Sequence, residues 1–170
     1  GGKLTIQNTV LTNFVGCGDE PDYWLGVEVW GNSNAVQNII SNTTQGLLRM
    51  SNNSRIEYAI NGVLLSKRVE IDGVISPESY LSTNNGGIVI TEDNATFLNC
   101  LYGIHFQPYN IGNVNVSTIG SSVFNWDENF IQSKKPRVHI AINSCTNIRV
   151  GSSKFLQSAT HLYTNKNDWG

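Results

Sequence analysis

Helix formers are scarce in this chain, and so are charges: Asp, Glu, Lys and Arg make up only 14% of its 170 residues, against about 25% in an average globular domain. There are four prolines, one methionine and three cysteines. Cys17, Cys100 and Cys145 form no Cys-x-x-Cys pair. So sparse and odd a set is neither a disulfide framework nor a zinc site, and free, mostly buried thiols are expected. No apolar run approaches the roughly 18 residues that a membrane-spanning helix needs, so membrane insertion is not expected. A net charge of −2 and one short basic run, Lys134-Lys135-Pro136-Arg137, argue against nucleic acid as a partner. The opening Gly1-Gly2-Lys3 leads straight into strand pattern, as expected of a mature or excised chain.

What is abundant is Asn, at 22 residues, together with 16 Gly and many Ser and Thr. These residues compete with helical hydrogen bonding and favour turns. Apolar residues are nonetheless 39% of the chain and evenly spread, which is enough for a continuous core. The expectation is one all-β domain over residues 1–170.

Five segments repeat one plan: an alternating strand, a polar turn, an apolar anchor, then a second alternating strand. The anchors Leu11, Ile56, Phe97, Phe124 and Phe155 are 45, 41, 27 and 31 residues apart. So irregular a period excludes helical arrays and suits a solenoid with a fixed strand framework and variable loops. Strand alternation places Leu4/Ile6, Leu48/Met50, Ile88/Ile90, Val114/Val116 and Ile148/Val150 inward in the first strand. In the second strand the inward residues are Val27/Val29, Val63/Leu65, Ile104/Phe106, Val138/Ile140 and Leu162. Asn8, Asn53, Asn94, Ser121 and Ser152 should form a polar ladder, because Asn tolerates the left-handed region. Residues 16–23, 70–85 and 125–136 break the pattern and read as surface loops. These features predict a right-handed parallel β-helix of about five coils. An antiparallel sandwich, which also yields short alternating strands, is the alternative.

With the repeats aligned, the chain resembles the right-handed β-helix regions of large bacterial surface proteins exported by the type IX route. The phrases that carry the resemblance are Trp24-Leu25-Gly26-Val27-Glu28-Val29-Trp30-Gly31, Ile56-Glu57-Tyr58-Ala59-Ile60-Asn61-Gly62-Val63, Gly86-Gly87-Ile88, Ala95-Thr96-Phe97-Leu98-Asn99-Cys100-Leu101-Tyr102-Gly103-Ile104, and Arg137-Val138-His139-Ile140. The resemblance implies a pectate-lyase-like fold, a place outside the cell or on its surface, and a larger parent chain.

Candidate sites are few. Asp19, Glu20 and Asp22 would chelate calcium if their loop folds back, although a solvated acidic loop is the plainer reading. Glu28 and Glu57 fall in different parts of the repeat and make a poor glycosidase pair. The outward stripe of the second strand reads Glu28, Leu64, His105, His139, Tyr163. With about 4.8 Å between strands, His105 and His139 are expected side by side on the outer face. With Trp30, the residues Glu28, His105, His139 and Tyr163 are the candidate contacts for a polysaccharide or a surface protein. The expected function is a non-catalytic, structural or adhesive module; the alternative is a polysaccharide lyase or glycoside hydrolase with part of its catalytic apparatus elsewhere.

Overall fold

The computed structural model describes residues 1–13, 22–40, 44–111, 115–129 and 137–157. Among these the chain is all-β, with a short 3-10 turn at Ser82–Asn84. No helix of the described residues is long and apolar enough to cross a membrane.

Each repeat supplies strands in a fixed order. The first gives β1 (Lys3–Gln7), β2 (Val10–Leu11) and β3 (Val27–Glu28), and the second β4 (Leu47–Ser51), β5 (Arg55–Glu57) and β6 (Asn61–Leu65). An inserted pair follows, β7 (Lys67–Ile71) and β8 (Val74–Leu81). The third repeat gives β9 (Ile88–Thr91), β10 (Thr96–Leu98) and β11 (Tyr102–Phe106), and the fourth β12 (Thr118–Gly120), β13 (Val123–Trp126) and β14 (Val138–Ile142). The fifth contributes β15 (Arg149–Gly151) and β16 (Lys154–Gln157). These strands form three parallel sheets: β1-β4-β9-β12-β15, β2-β5-β10-β13-β16 and β3-β6-β11-β14. Consecutive strands therefore enter different sheets, and the chain returns to the same sheet one repeat later. That arrangement is compatible with a β-helix and excludes the antiparallel sandwich. Among the described residues only β7 and β8 pair antiparallel.

Left-handed turns set the register. Asn8, Asn52, Asp93, Ser121 and Ser152 have φ between 47° and 52°, a region that Asn and Asp enter more readily than most residues. The core residue of the first sheet stands two positions earlier in every repeat: Ile6, Met50, Thr91, Ile119 and Val150 pair in one column. The anchor stands three positions after the last left-handed residue, so Leu11, Ile56, Phe97, Phe124 and Phe155 pair in a second column. Phe97 and Phe124 stack at 4.8 Å between ring centres, and Phe124 and Phe155 at 5.1 Å. Of the expected polar ladder, one side-chain rung is described. Asn53 and Asn94 approach side chain to side chain at 3.5 Å, and the amides of Asn8, Asn53, Asn94 and Ser121 each donate to a turn carbonyl of the next repeat.

Several expected positions are corrected. In the third repeat Val89 and Thr91, not Ile88 and Ile90, occupy the inward positions opposite Leu48 and Met50. Ile88-Val89-Ile90 is apolar throughout, so alternation gives no parity there. The turns of repeats two and three also hold a second left-handed residue, Asn53 and Asn94 (φ 58° and 61°). In the fourth repeat the first strand is Thr118–Gly120, with Ile119 inward; Asn115 and Val116 precede it and Val114 lies outside the described residues. In the third sheet Ile140 and Ile142, rather than Val138 and Ile140, continue the columns of Ile104 and Phe106. Residues 70–85 are not a loop: Asp72 (φ 51°) and Gly73 (φ 78°) make the turn of the β7–β8 hairpin. Two successive positive φ values are the geometry that Asp-Gly favours in a two-residue hairpin. Leu162 lies outside the described residues.

Candidate functional site

The outer face of the third sheet carries the column Glu28–Leu64–His105–Ala141. The first three members stand where the sequence places them; the fourth is Ala141, not His139. The β7–β8 hairpin leaves the end of β6 and covers this face. Its Arg68 side chain is 1% exposed. The guanidinium donates to Glu28 Oε1 at 2.7 Å, to the Leu25 carbonyl at 2.6 Å and to the Pro77 carbonyl at 3.4 Å. The second oxygen of Glu28 accepts from Trp30 Nε1 at 2.7 Å and from the Arg68 amide at 3.4 Å. Lys67 places its ammonium 4.5 Å from the centre of the Trp30 ring. Glu28 and the Leu25 carbonyl thus tie an inserted hairpin to the first repeat. A planar, permanently charged guanidinium suits this place, since its fork reaches a carboxylate and two carbonyls at once.

Beneath the hairpin, His105 is buried in a polar network. Its Nδ1 lies 2.9 Å from Asn61 Oδ1, and its Nε2 lies 2.9 Å from Gln107 Nε2 and 3.0 Å from Asn143 Nδ2. A neutral ring with the proton on Nδ1 fits all three contacts: it donates to the Asn61 carbonyl and accepts from the two amides. Burial, with Arg68 adding positive charge nearby, lowers its pKa to about 4. Tyr102 stacks on the ring at 4.7 Å and Tyr80 meets it edge-on at 5.4 Å. Burial also raises the Tyr80 pKa.

His139 turns the other way. It follows Val138, which pairs with Tyr102, and precedes Ile140, which pairs with Ile104, so it takes the register position of Gly103. That position faces the core: a Cβ on Gly103 would lie 2.7 Å from the Phe124 ring, and one on Gly62 would lie 2.8 Å from the Phe97 ring. Glycine leaves room for the anchor ring in repeats two and three. In repeat four the imidazole fills that space, 3.9 Å from Trp126 and 5.8 Å from both Phe124 and Phe155. Burial lowers the His139 pKa to about 4 as well, against the opposing effect of a hydrogen bond to the Leu156 backbone. The paired-imidazole stripe is therefore overturned, since one ring points outward and the other inward.

Of the remaining candidates, Trp30 is 49% exposed and borders a recess of about 290 Å³ with Glu28, Val27, Val29, Leu4 and Leu48. Tyr163, Asp19 and Glu20 lie outside the described residues. Asp22 accepts the amide of Tyr23 at 2.7 Å. Among the described residues no three His, Cys, Asp or Glu side chains converge as metal ligands. Cys100 and Cys145 are free thiols, and burial pushes Cys100 up to about 12, far from the thiolate form that reacts or binds metal.

Sequence reasoning missed Arg68, Tyr80, Asn61, Gln107 and Asn143. Asp72-Gly73 was the available signal for the hairpin, and the glycines at 26, 62 and 103 were the available signal for the inward position of His139. No protein-family profile matches the chain, and no curated protein or solved structure is significantly similar to it.

Proposed function

We propose that the three sheets close into a right-handed parallel β-helix, a solenoid of about five coils, serving as a non-catalytic module outside the cell or on a bacterial surface. Its role in this reading is that of a spacer or adhesive stalk within a larger parent chain, offering long flat faces to a polysaccharide or a surface protein. The observation that carries the reading is the continuity of the columns. One anchor per repeat stacks from Leu11 to Phe155, and one left-handed turn per repeat hydrogen-bonds to the next. A repeat of this kind adds length along a single axis and buries its core only against its neighbours. The outer-face groups with catalytic potential are committed to structure: Glu28 holds Arg68, and His105 is hydrogen-bonded to three side-chain amides. The recurring phrases around Trp24, Ile56 and Ala95 support the surface placement.

The discriminating experiment incubates the purified chain, with and without calcium, with acidic and neutral polysaccharides, following unsaturated uronate and new reducing ends. A parallel glycan array tests adhesion, with Trp30→Ala as the control for the exposed ring. The expected outcome is no cleavage. Release of either product that depends on a carboxylate or histidine of this chain overturns the reading in favour of a lyase or hydrolase.

A further inference from the structure

The β7–β8 hairpin is fastened to the body of the protein near its root and not at its tip. At the tip Ile71 is 67% and Val74 70% exposed. At the root Ser66 Oγ reaches Asn85 Oδ1 at 2.7 Å and the Leu81 carbonyl at 3.3 Å, so the two ends of the insertion are joined independently of the strands between them. Beyond the root, Lys67 lies over Trp30, Arg68 reaches Glu28 and the Leu25 carbonyl, and Tyr80 meets the His105 ring.

The network under these contacts is matched to an uncharged imidazole, with Nδ1 against the Asn61 carbonyl and Nε2 against two amide groups. The charged and titratable groups that face the ring are Arg68 of β7, Tyr80 of β8 and Tyr102 of β11. Asn61 of β6, Gln107 after β11 and Asn143 after β14 are neutral. No anion is among them, and the carboxylate of Glu28 is already bonded to Arg68 and Trp30. A proton added at Nε2 would meet two amide donors and put a second buried cation near Arg68, with one carboxylate for the two. Turning the amides of Gln107 and Asn143 would supply acceptors but no counter-charge, and an unpaired charge is costly out of water. Swinging the hairpin away on its Ser66 root lets water reach both cations. We propose that the hairpin is an acid-released cover: protonation of His105 detaches β7 and β8 from the outer face of the third sheet and exposes Leu64, Tyr102 and the imidazole, while the parallel sheets beneath stay folded. This needs only the hairpin and its network, and it is independent of any spacer or adhesive role.

Native-state hydrogen exchange on the whole chain, corrected for the intrinsic rate at each pH, reads the opening strand by strand. The His105 pKa is about 4 under the cover and about 6.5 in water. The covered state is therefore most favoured above pH 6.5 and loses ground as pH falls. Between pH 7.5 and pH 5 the opening constant of the β7 and β8 amides should rise about 30-fold, while those of β10 keep their protection. Stopping at pH 5 stays above the ordinary carboxylate range. His105→Gln, which takes up no proton, should flatten the rise; His139→Phe, on the inner side of the same sheet, should leave it intact. Circular dichroism establishes that both variants are folded, and the wild-type comparison of the hairpin with β10 needs neither. Protection lost from β10 together with the hairpin, a hairpin still fully protected at pH 5, or a rise that survives His105→Gln overturns the proposal.

Discussion

Phe124 sits between Phe97 and Phe155, wholly buried, with its ring nearly parallel to both. Truncation there removes a full aromatic side chain and leaves a cavity that a stacked backbone on either side cannot collapse into. Phe124→Ala should cost about 3–5 kcal/mol, measured as a shift in the denaturant midpoint; a loss below about 1 kcal/mol would show the ring is dispensable. The two histidines make a different prediction. Each has a pKa near 4 in the folded chain and about 6.5 when unfolded. Between those values the unfolded chain binds protons that the folded chain refuses. Stability is therefore fully present above pH 6.5, is lost as pH falls towards 4, and is flat below that as far as these groups are concerned. For the buried His105 the loss is of the order of 3 kcal/mol; for the more exposed His139 it is smaller. Denaturation of wild type, His105→Gln and His139→Phe across this range should show a shallower pH slope in both variants. Carboxylate effects are common to all three and cancel. An unchanged slope would mean that the imidazoles are already solvated.

Among the described strands the β7–β8 hairpin is the one pair that departs from the repeat, and Glu28 is the one carboxylate that anchors its Arg68. Glu28→Gln keeps the shape but leaves the buried Arg68 guanidinium without its charge partner, a loss of about 3–5 kcal/mol for a buried pair. Arg68→Met removes the charge and should cost less than Glu28→Gln, because Glu28 is partly exposed and can turn to water. Denaturation of both variants, with limited proteolysis across residues 70–81, checks the order. Equal costs would indicate that the pair is effectively solvated. The hairpin also explains why outward residues are hidden here: Leu64 is fully buried and His105 is 6% exposed, although both lie on the outer side of the third sheet. Asp72-Gly73 carried the turn signal in plain sight. What hid the element was the expectation that every insertion between repeats is irregular.

Over the whole molecule, a stack in which each repeat touches only its neighbours should be least stable at its edges. Native-state hydrogen exchange should therefore find the amides of β5, β6, β10 and β11 slowest, with β1, β2, β15 and β16 exchanging well before them. Uniform protection would show that the edges are covered. The anchor column and the left-handed ladder were legible in the sequence because both are local: a turn residue and an anchor at fixed spacing require no knowledge of the partner. The all-β class and the parallel pairing followed from five such units. Tertiary structure decided everything that depends on counting between repeats. Pairing with β4 put Val89 and Thr91 inward in β9, where the run Ile88-Val89-Ile90 is apolar throughout. The glycine column ending at His139 turned that ring into the core. The hairpin set Glu28 against Arg68 and covered His105. In each case the determining contact joins residues tens of positions apart, and alternation along one strand carries no information about which side of a neighbouring repeat a side chain will meet.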